Sequence, residues 1–182
     1  MQSIIYDVAV SIDGYIAGPA ADVSKFPAEG EVVADYFERL SQYRCAIMGR
    51  ATYEFAYDYG LRPGDNPYPH MQTLVFSKTM PSPSEPNIEI VRGDAVERIA
   101  ELRGSADGPI YLCGGGAFAG WLLSQGLIDT LRLKRAPILL GGGTRLFGDQ
   151  AIPADLQISE TKPYDGGAVF QAFDLMPARS GP

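Results

Sequence analysis

The chain has 182 residues, 46% hydrophobic and 20% charged, the composition of a globular domain able to bury a sizeable core. Its formal net charge of −7 argues against nucleic acid or an anionic membrane as partner, because both select a basic face. No apolar run reaches the roughly 20 residues of a membrane span, and "MQSIIYDVAV" lacks the basic start and long apolar stretch of a secretory leader. Cys45 and Cys113 sit in the strand-like runs "CAIMG" and "IYLCGG" and read as buried thiols. With the single histidine, His70, they give no metal-ligand spacing, so a cytoplasmic, metal-free protein is expected.

Strand and helix patterns alternate along the chain. "SIIYDVAVSI" reads as a first strand and "GYIAGPAADVSKFPAEG" as a long Gly- and Pro-marked loop, whose residues 19–30 are a candidate lid. Residues 31–43 read as a helix, with Val32, Val33, Tyr36, Phe37 and Leu40 recurring on one face. "RCAIMG" is a short buried strand running into a helix start at "RATYEFAYDY". "QTLVFS" and "IEIVRG" follow as strands separated by Pro-rich loops. "DAVERIAELRG" is a helix with Asp94 as N-cap and Gly104 as stop. "PIYLCG" is a strand, "GAFAGWLLSQG" a helix closed by Gly126, and "LIDTLRLKRAPILLG" a longer strand. "LQISETKPYDGGAVFQAFDL" forms a hairpin turning near "YDGG". No internal repeat or linker appears, so residues 1–176 form one domain and 177–182 a frayed tail. The alternation predicts an α/β fold: a mostly parallel sheet, helices on both faces, and an antiparallel hairpin at one edge.

Ligands of such sheets bind beyond the carboxyl ends of the strands, and three of those ends carry anion-binding chemistry. "GGGAFAG" joins a strand to a helix, where backbone N–H groups can hold a pyrophosphate. Its glycines echo a dinucleotide fingerprint without its usual spacing. "MGRATYE" puts Arg50 and Thr52 at a second such junction, and "LVFSKT" puts Ser77 and Lys78 at a third. The second glycine run, "GGGTRLFG", lacks the Lys-Ser/Thr of a P-loop. Read alone, these residues serve either a ligand carrying several phosphates or ordinary turns and surface charge.

"AVSIDGYIAG", "IMGRATYE", "LVFSKT", "IYLCGGGAFAGWLLSQGLID" and "APILLGGGTRLF" follow in this order between residues 4 and 173. Together they resemble the dihydrofolate-reductase-like family. The nearest branch holds the reductase domain of the bifunctional riboflavin-biosynthesis deaminase-reductase (the RibD C-terminal domain) and its stand-alone bacterial-type members. The resemblance implies a three-layer fold with a central mixed sheet. It also implies an NADPH-dependent oxidoreductase that passes a hydride to a small pterin-like or pyrimidine-like heteroaromatic substrate, and a homodimer. Under it, Ala9 and Ile16 flank the nicotinamide. Gly49, Arg50, Ala51 and Thr52 hold the pyrophosphate, and Arg50, Ser77 and Lys78 face the adenosine 2′-phosphate. Gly114, Gly115, Gly116, Ala117 and Phe118 wrap the pyrophosphate, with a cis peptide expected between Gly114 and Gly115. The second glycine run is implied to be a structural turn, and Asp13 and Gly14 to shape the loop after the first strand.

Two positions depart from the family pattern. The acidic residue by which dihydrofolate reductases contact the pterin falls on Val33, which cannot hydrogen-bond a ring and so argues against folate reduction. Phe37 lies one turn on and faces the same pocket, whereas Asp35 is on the polar side. The first-strand lysine of the riboflavin-pathway reductases is replaced by Asp7. Asp7 shares a strand face with Ala9 and would look into the substrate pocket as a ligand for an N–H-rich ring or a proton relay, or else pair with a basic residue, because an unpaired buried charge is costly. Tyr53 and Tyr15 are further pocket candidates, and Trp121 is assigned to the core. The alternatives to a reductase are a non-catalytic nucleotide-binding or interaction module, or a flavin-type cofactor in place of NADPH.

Overall fold

The protein is seen in a computed structural model that describes residues 1–150 and 152–176; the tail expected over 177–182 lies outside the described residues. In chain order the elements are β1 (Ile4–Val10), β2 (Tyr15–Ala17), α1 (Glu31–Gln42), β3 (Cys45–Gly49), α2 (Arg50–Phe55), β4 (Gln72–Phe76) and β5 (Glu89–Val91). They continue with α3 (Ala95–Ser105), β6 (Ile110–Gly114), α4 (Gly116–Ser124), β7 (Thr130–Arg135), β8 (Thr144–Arg145), β9 (Leu156–Pro163) and β10 (Val169–Leu175). Eight strands make one sheet in the order β5-β4-β3-β6-β1-β7-β10-β9, and β2 and β8 form a separate small ribbon. From β5 to β7 every neighbouring pair is parallel. β10 runs antiparallel to both β7 and β9, which is the expected closing hairpin.

Strand β1 is central because both its faces are apolar. Ile4, Tyr6 and Val10 face a core built with Ile99 and Leu102 of α3 and Ala119 and Leu122 of α4. Ile5 faces a second core with Leu40 of α1 and Tyr53 of α2. The alternation of side chains along a strand thus assigns α3 and α4 to one face and α1 and α2 to the other. Asp94 caps α3 as its sequence suggests, accepting from the N–H of Val96 at 2.9 Å and of Glu97 at 3.1 Å. That cap is worth about 1 kcal/mol. The helix runs one residue past Gly104 before stopping.

Two features differ from the sequence expectation. β7 ends at Arg135 rather than running through "APILLG", because Pro137 has no N–H to offer a ladder. The β2–β8 ribbon pairs Tyr15 with Arg145 and Ala17 with Thr144, joining loops far apart in sequence by segments too short to show a period. Asp13 secures the same junction by accepting from the backbone N–H of Leu140 and Gly141. The segment after β7 is thereby strapped over the carboxyl end of β1. Among the described residues no helix is long and apolar enough to cross a membrane.

Candidate active site

The carboxyl ends of β1, β3, β6 and β7 open into a cleft of about 640 Å³ on the α1 and α2 side of the sheet. Asp7, Ala9, Ile16, Val33, Phe37, Ala51, Thr52, Tyr53 and Gly115 all line it, so most of the residues assigned from sequence to the nicotinamide and substrate meet in one place. Tyr15 is not among its lining residues; it stands on the β2–β8 ribbon. Phe37 lies at the rim and is 61% exposed. Tyr53 offers only its ring, because its hydroxyl donates to the Asp65 carbonyl and accepts from the Gly64 N–H, both at 2.9 Å. Asp35 faces away from the cleft and binds Lys162 and Tyr164 of the hairpin, each at 2.7 Å.

A second cleft lies at the ends of β4 and β5, walled by Phe76, Ser77, Lys78, Asp94, Phe118 and Trp121. Phe76 stacks on Phe118 at 5.0 Å and Phe118 on Trp121 at 6.0 Å between ring centres, leaving a ladder of flat rings beside an exposed lysine. Trp121, expected in the core, is only partly buried and belongs to this wall. Arg50 starts α2 and lines neither cleft, whereas the next residues, Ala51 and Thr52, line the main one. Its Nε donates to Glu54 at 2.7 Å and its Nη1 reaches the Thr79 hydroxyl at 3.3 Å.

The first glycine run borders the main cleft at Gly115 and leads into α4, which carries Phe118 to the second, and its shape differs from expectation. No peptide bond among the described residues is cis. The turn is made instead by consecutive positive φ angles, 132° at Gly114 and 90° at Gly115, which only glycine adopts without strain. A Cβ on Gly115 would stand 2.6 Å from the Thr52 hydroxyl, so this turn and the start of α2 close on each other. Gly116 has another reason to be bare: its Cβ would collide with the Arg145 carbonyl oxygen of the strap. Gly143, in the second run, approaches the Ala17 carbonyl in the same way. The two glycine runs therefore do different work, one bending at the edge of the main cleft into α4 and the other fitting the strap to β2.

At the floor of the main cleft lies a polar cluster that the sequence only half reveals. The Asp7 side chain is fully buried. Lys134 Nζ donates to its Oδ1 at 2.9 Å, Arg39 Nε to its Oδ2 at 3.0 Å, and the Tyr43 hydroxyl to Oδ2 at 3.3 Å. Arg132 Nη1 in turn donates to the Tyr43 hydroxyl at 3.0 Å. Burial alone would raise the Asp7 carboxyl, but the charges of Lys134 and Arg39 outweigh it and hold the group below its ordinary value, ionised. The Lys134 ammonium is pulled down to about 8 by burial, against the opposing effect of Asp7. Its Nζ also sits 3.4 Å from the centre of the Tyr36 ring. Tyr36 and Tyr111 share a hydrogen bond at 2.7 Å, and Tyr68 meets the Cys113 sulfur at 3.0 Å. Cys113, expected to be buried, is partly exposed and lines the cleft, whereas Cys45 is buried.

Lys134 is the residue that sequence reasoning missed. Asp7 demanded a cation, and "TLRLKR" places Arg132 and Lys134 on one strand face. The β1–β7 register, with Asp7 opposite Arg132 and Ala9 opposite Lys134, was needed to show that this face is the cleft floor.

Comparison with known proteins agrees with this geometry. The pattern of the RibD C-terminal domain family matches residues 2–170. The crystal structure of a putative riboflavin biosynthesis protein from Shewanella sp. PV-4 superposes with a TM-score of 0.80 at 25% identity, covering 97% of this chain and 100% of that one. A diaminohydroxyphosphoribosylaminopyrimidine deaminase/5-amino-6-(5-phosphoribosylamino)uracil reductase from Thermotoga maritima gives 0.72 at 16% identity, over 96% of this chain and 57% of that one. Dihydrofolate reductase from Enterococcus faecalis, solved with NADP(H), gives 0.68 at 17% identity, over 95% and 96%. The fold is dihydrofolate-reductase-like.

Proposed function

Since the chain belongs to the RibD C-terminal domain family, we propose that it is an NADPH-dependent reductase of a small pterin-like or pyrimidine-like heteroaromatic compound. The observation that carries this reading is a pair of clefts at the strand ends, with Gly115 of the glycine turn lining one and Phe118 of the helix that follows lining the other. One holds a ring pocket and the other holds Ser77, Lys78 and a stack of aromatic rings. An extended dinucleotide with a 2′-phosphate suits that division. Its adenine would lie against the Phe118 and Trp121 side and its 2′-phosphate at Ser77 and Lys78. Its pyrophosphate would lie along Arg50, Thr52 and Gly115, where a side chain on Gly115 would close the space, and its nicotinamide between Ala9 and Ile16.

When bound, the dihydronicotinamide supplies the hydride; the chain's own residues supply orientation and the proton. The ring walls of Tyr36, Tyr53 and Tyr68 hold a flat substrate and exclude water. Lys134 Nζ stands on the cleft floor as the proton donor for the substrate heteroatom, and water restores its proton afterwards. Asp7 is a positioning residue: ionised and engaged by three donors, it has no proton to give and keeps the ammonium aimed and charged. Val33 in place of an acid on α1 disfavours folate. Following nicotinamide absorbance with a panel of pteridine and pyrimidine acceptors tests the reading. Turnover of at least one, abolished by Lys134→Met, is expected; NADPH oxidation by none of them contradicts it.

A further inference from the structure

We propose that the main cleft takes a phosphate-free ring that presents an acceptor, a carbonyl oxygen or ring nitrogen, to Lys134 Nζ. This rests on the reading of that cleft as the substrate site and narrows the substrate to oxo-substituted heteroaromatic rings without a phosphate tail.

The polarity follows from counting donors and acceptors at the floor. Asp7 accepts three hydrogen bonds from within the protein, and its side chain has no exposed surface. It therefore cannot receive an N–H from a ligand. An ammonium has three N–H groups and no acceptor. Lys134 gives one to Asp7 and holds another over the Tyr36 ring, which leaves one for a ligand. The Asp7 carboxylate is shared between Lys134 and Arg39, so the charge this floor turns to the cleft is that of the ammonium, which favours electron-rich oxygen. Recognition is thus by donation from the protein.

The exclusion of phosphate follows from the walls. Asp7 and Lys134 are the only lining residues, among those described, that carry a formal charge. The mouth is made by Ala21, Val23, Pro27, Ala28, Phe37 and Phe55. A phosphomonoester dianion on a substrate tail directed out through this mouth would find no charged side chain there, and its desolvation would go uncompensated; the Thr52 and Gly115 edge of the cleft is taken by the cofactor pyrophosphate in the proposed mode. Arg50 and Lys78 do not line this cleft.

The test is calorimetric titration of the full chain, in saturating NADP+ so that the phosphate positions at Arg50, Thr52, Gly115 and Lys78 are occupied, with a matched pair: 5-aminouridine and its 5′-monophosphate. The nucleoside is expected to bind at least tenfold more tightly than its phosphate. Lys134→Met should weaken the nucleoside at least tenfold, and Lys134→Gln, which keeps a donor, should recover part of that. Ala28→Arg, at an exposed position on the mouth, should shift the ratio at least threefold toward the phosphate. Tighter binding of the monophosphate overturns the proposal. So does binding of neither up to millimolar concentration, a Lys134→Met variant that folds and binds unchanged, or an unmoved ratio in Ala28→Arg. A separate NADPH titration keeps the outcomes distinct, because loss of cofactor binding with nucleoside binding intact would sink the reductase reading alone.

Discussion

Lys134 Nζ lies 2.9 Å from Asp7 Oδ1 across the β1–β7 pair, and each residue explains how the other can be buried. Removing Asp7 leaves Arg39 and Lys134 facing each other with no counter-charge. Asp7→Ala is expected to destabilise the fold by about 3–5 kcal/mol, the usual cost of breaking a buried pair from one side. Lys134→Met should cost less, about 1–3 kcal/mol, because Asp7 retains Arg39 and Tyr43. Urea unfolding of the two variants checks the order; equal losses would mean that Arg39 contributes nothing.

The same pair sets a pH dependence. The ammonium of Lys134 titrates near 8, so turnover that uses its proton falls as pH rises through that value. Stability behaves differently. The folded state releases the Lys134 proton at lower pH than the unfolded chain does, so burial of the ammonium costs stability below about 8 and that cost is relieved as pH rises from about 8 to the ordinary lysine value of 10.5. Asp7 is lowered in the folded state; its contribution is therefore present above the ordinary 3.8 and is lost as pH falls below it. Rate profiles and melting profiles over the same pH range separate the two, and Lys134→Arg should remove both the alkaline limb of the rate and the rise in stability over that window, leaving the Asp7 limb at low pH.

Two glycines provide a paired test of packing. Gly116→Ala drives a methyl into the Arg145 carbonyl and should destabilise by about 1–3 kcal/mol. Gly104→Ala, inside α3 with nothing near its Cβ, should stabilise by about 0.5–1 kcal/mol. Denaturation midpoints that move the same way would show that the strap does not press on α4.

In the proposed binding mode Lys78 and Ser77, which line the second cleft, face the 2′-phosphate that distinguishes NADPH from NADH. Lys78→Ala is expected to lower NADPH affinity about tenfold, about 1.4 kcal/mol, and to leave NADH unchanged. Comparing the two dissociation constants before and after substitution measures that discrimination directly.

What could be read in the sequence was what local pattern encodes. The buried strands, the Asp94 cap, the hairpin and the three junctions at Gly49, Ser77 and Gly114 come from periodicity and turn chemistry, and the cleft placement of Asp7, Ala9, Val33 and Thr52 follows once the strand ends are aligned. Lys134 was hidden because strand alternation tells which residues share a face but not which face. Among the 15 basic residues, only the register chooses. The β2–β8 ribbon was hidden because three residues pairing with two leave no pattern. The trans turn through Gly114 and Gly115 was hidden because glycine permits both solutions.

The most direct test of cofactor use is titration of the purified protein with NADPH and with NADH, following Trp121 emission and sensitised nicotinamide emission. Trp121 is the only tryptophan and walls the second cleft together with Lys78, so the change is assignable. Micromolar NADPH affinity with much weaker NADH binding is the expected result. No change with either nucleotide at millimolar concentration would contradict the nicotinamide reading.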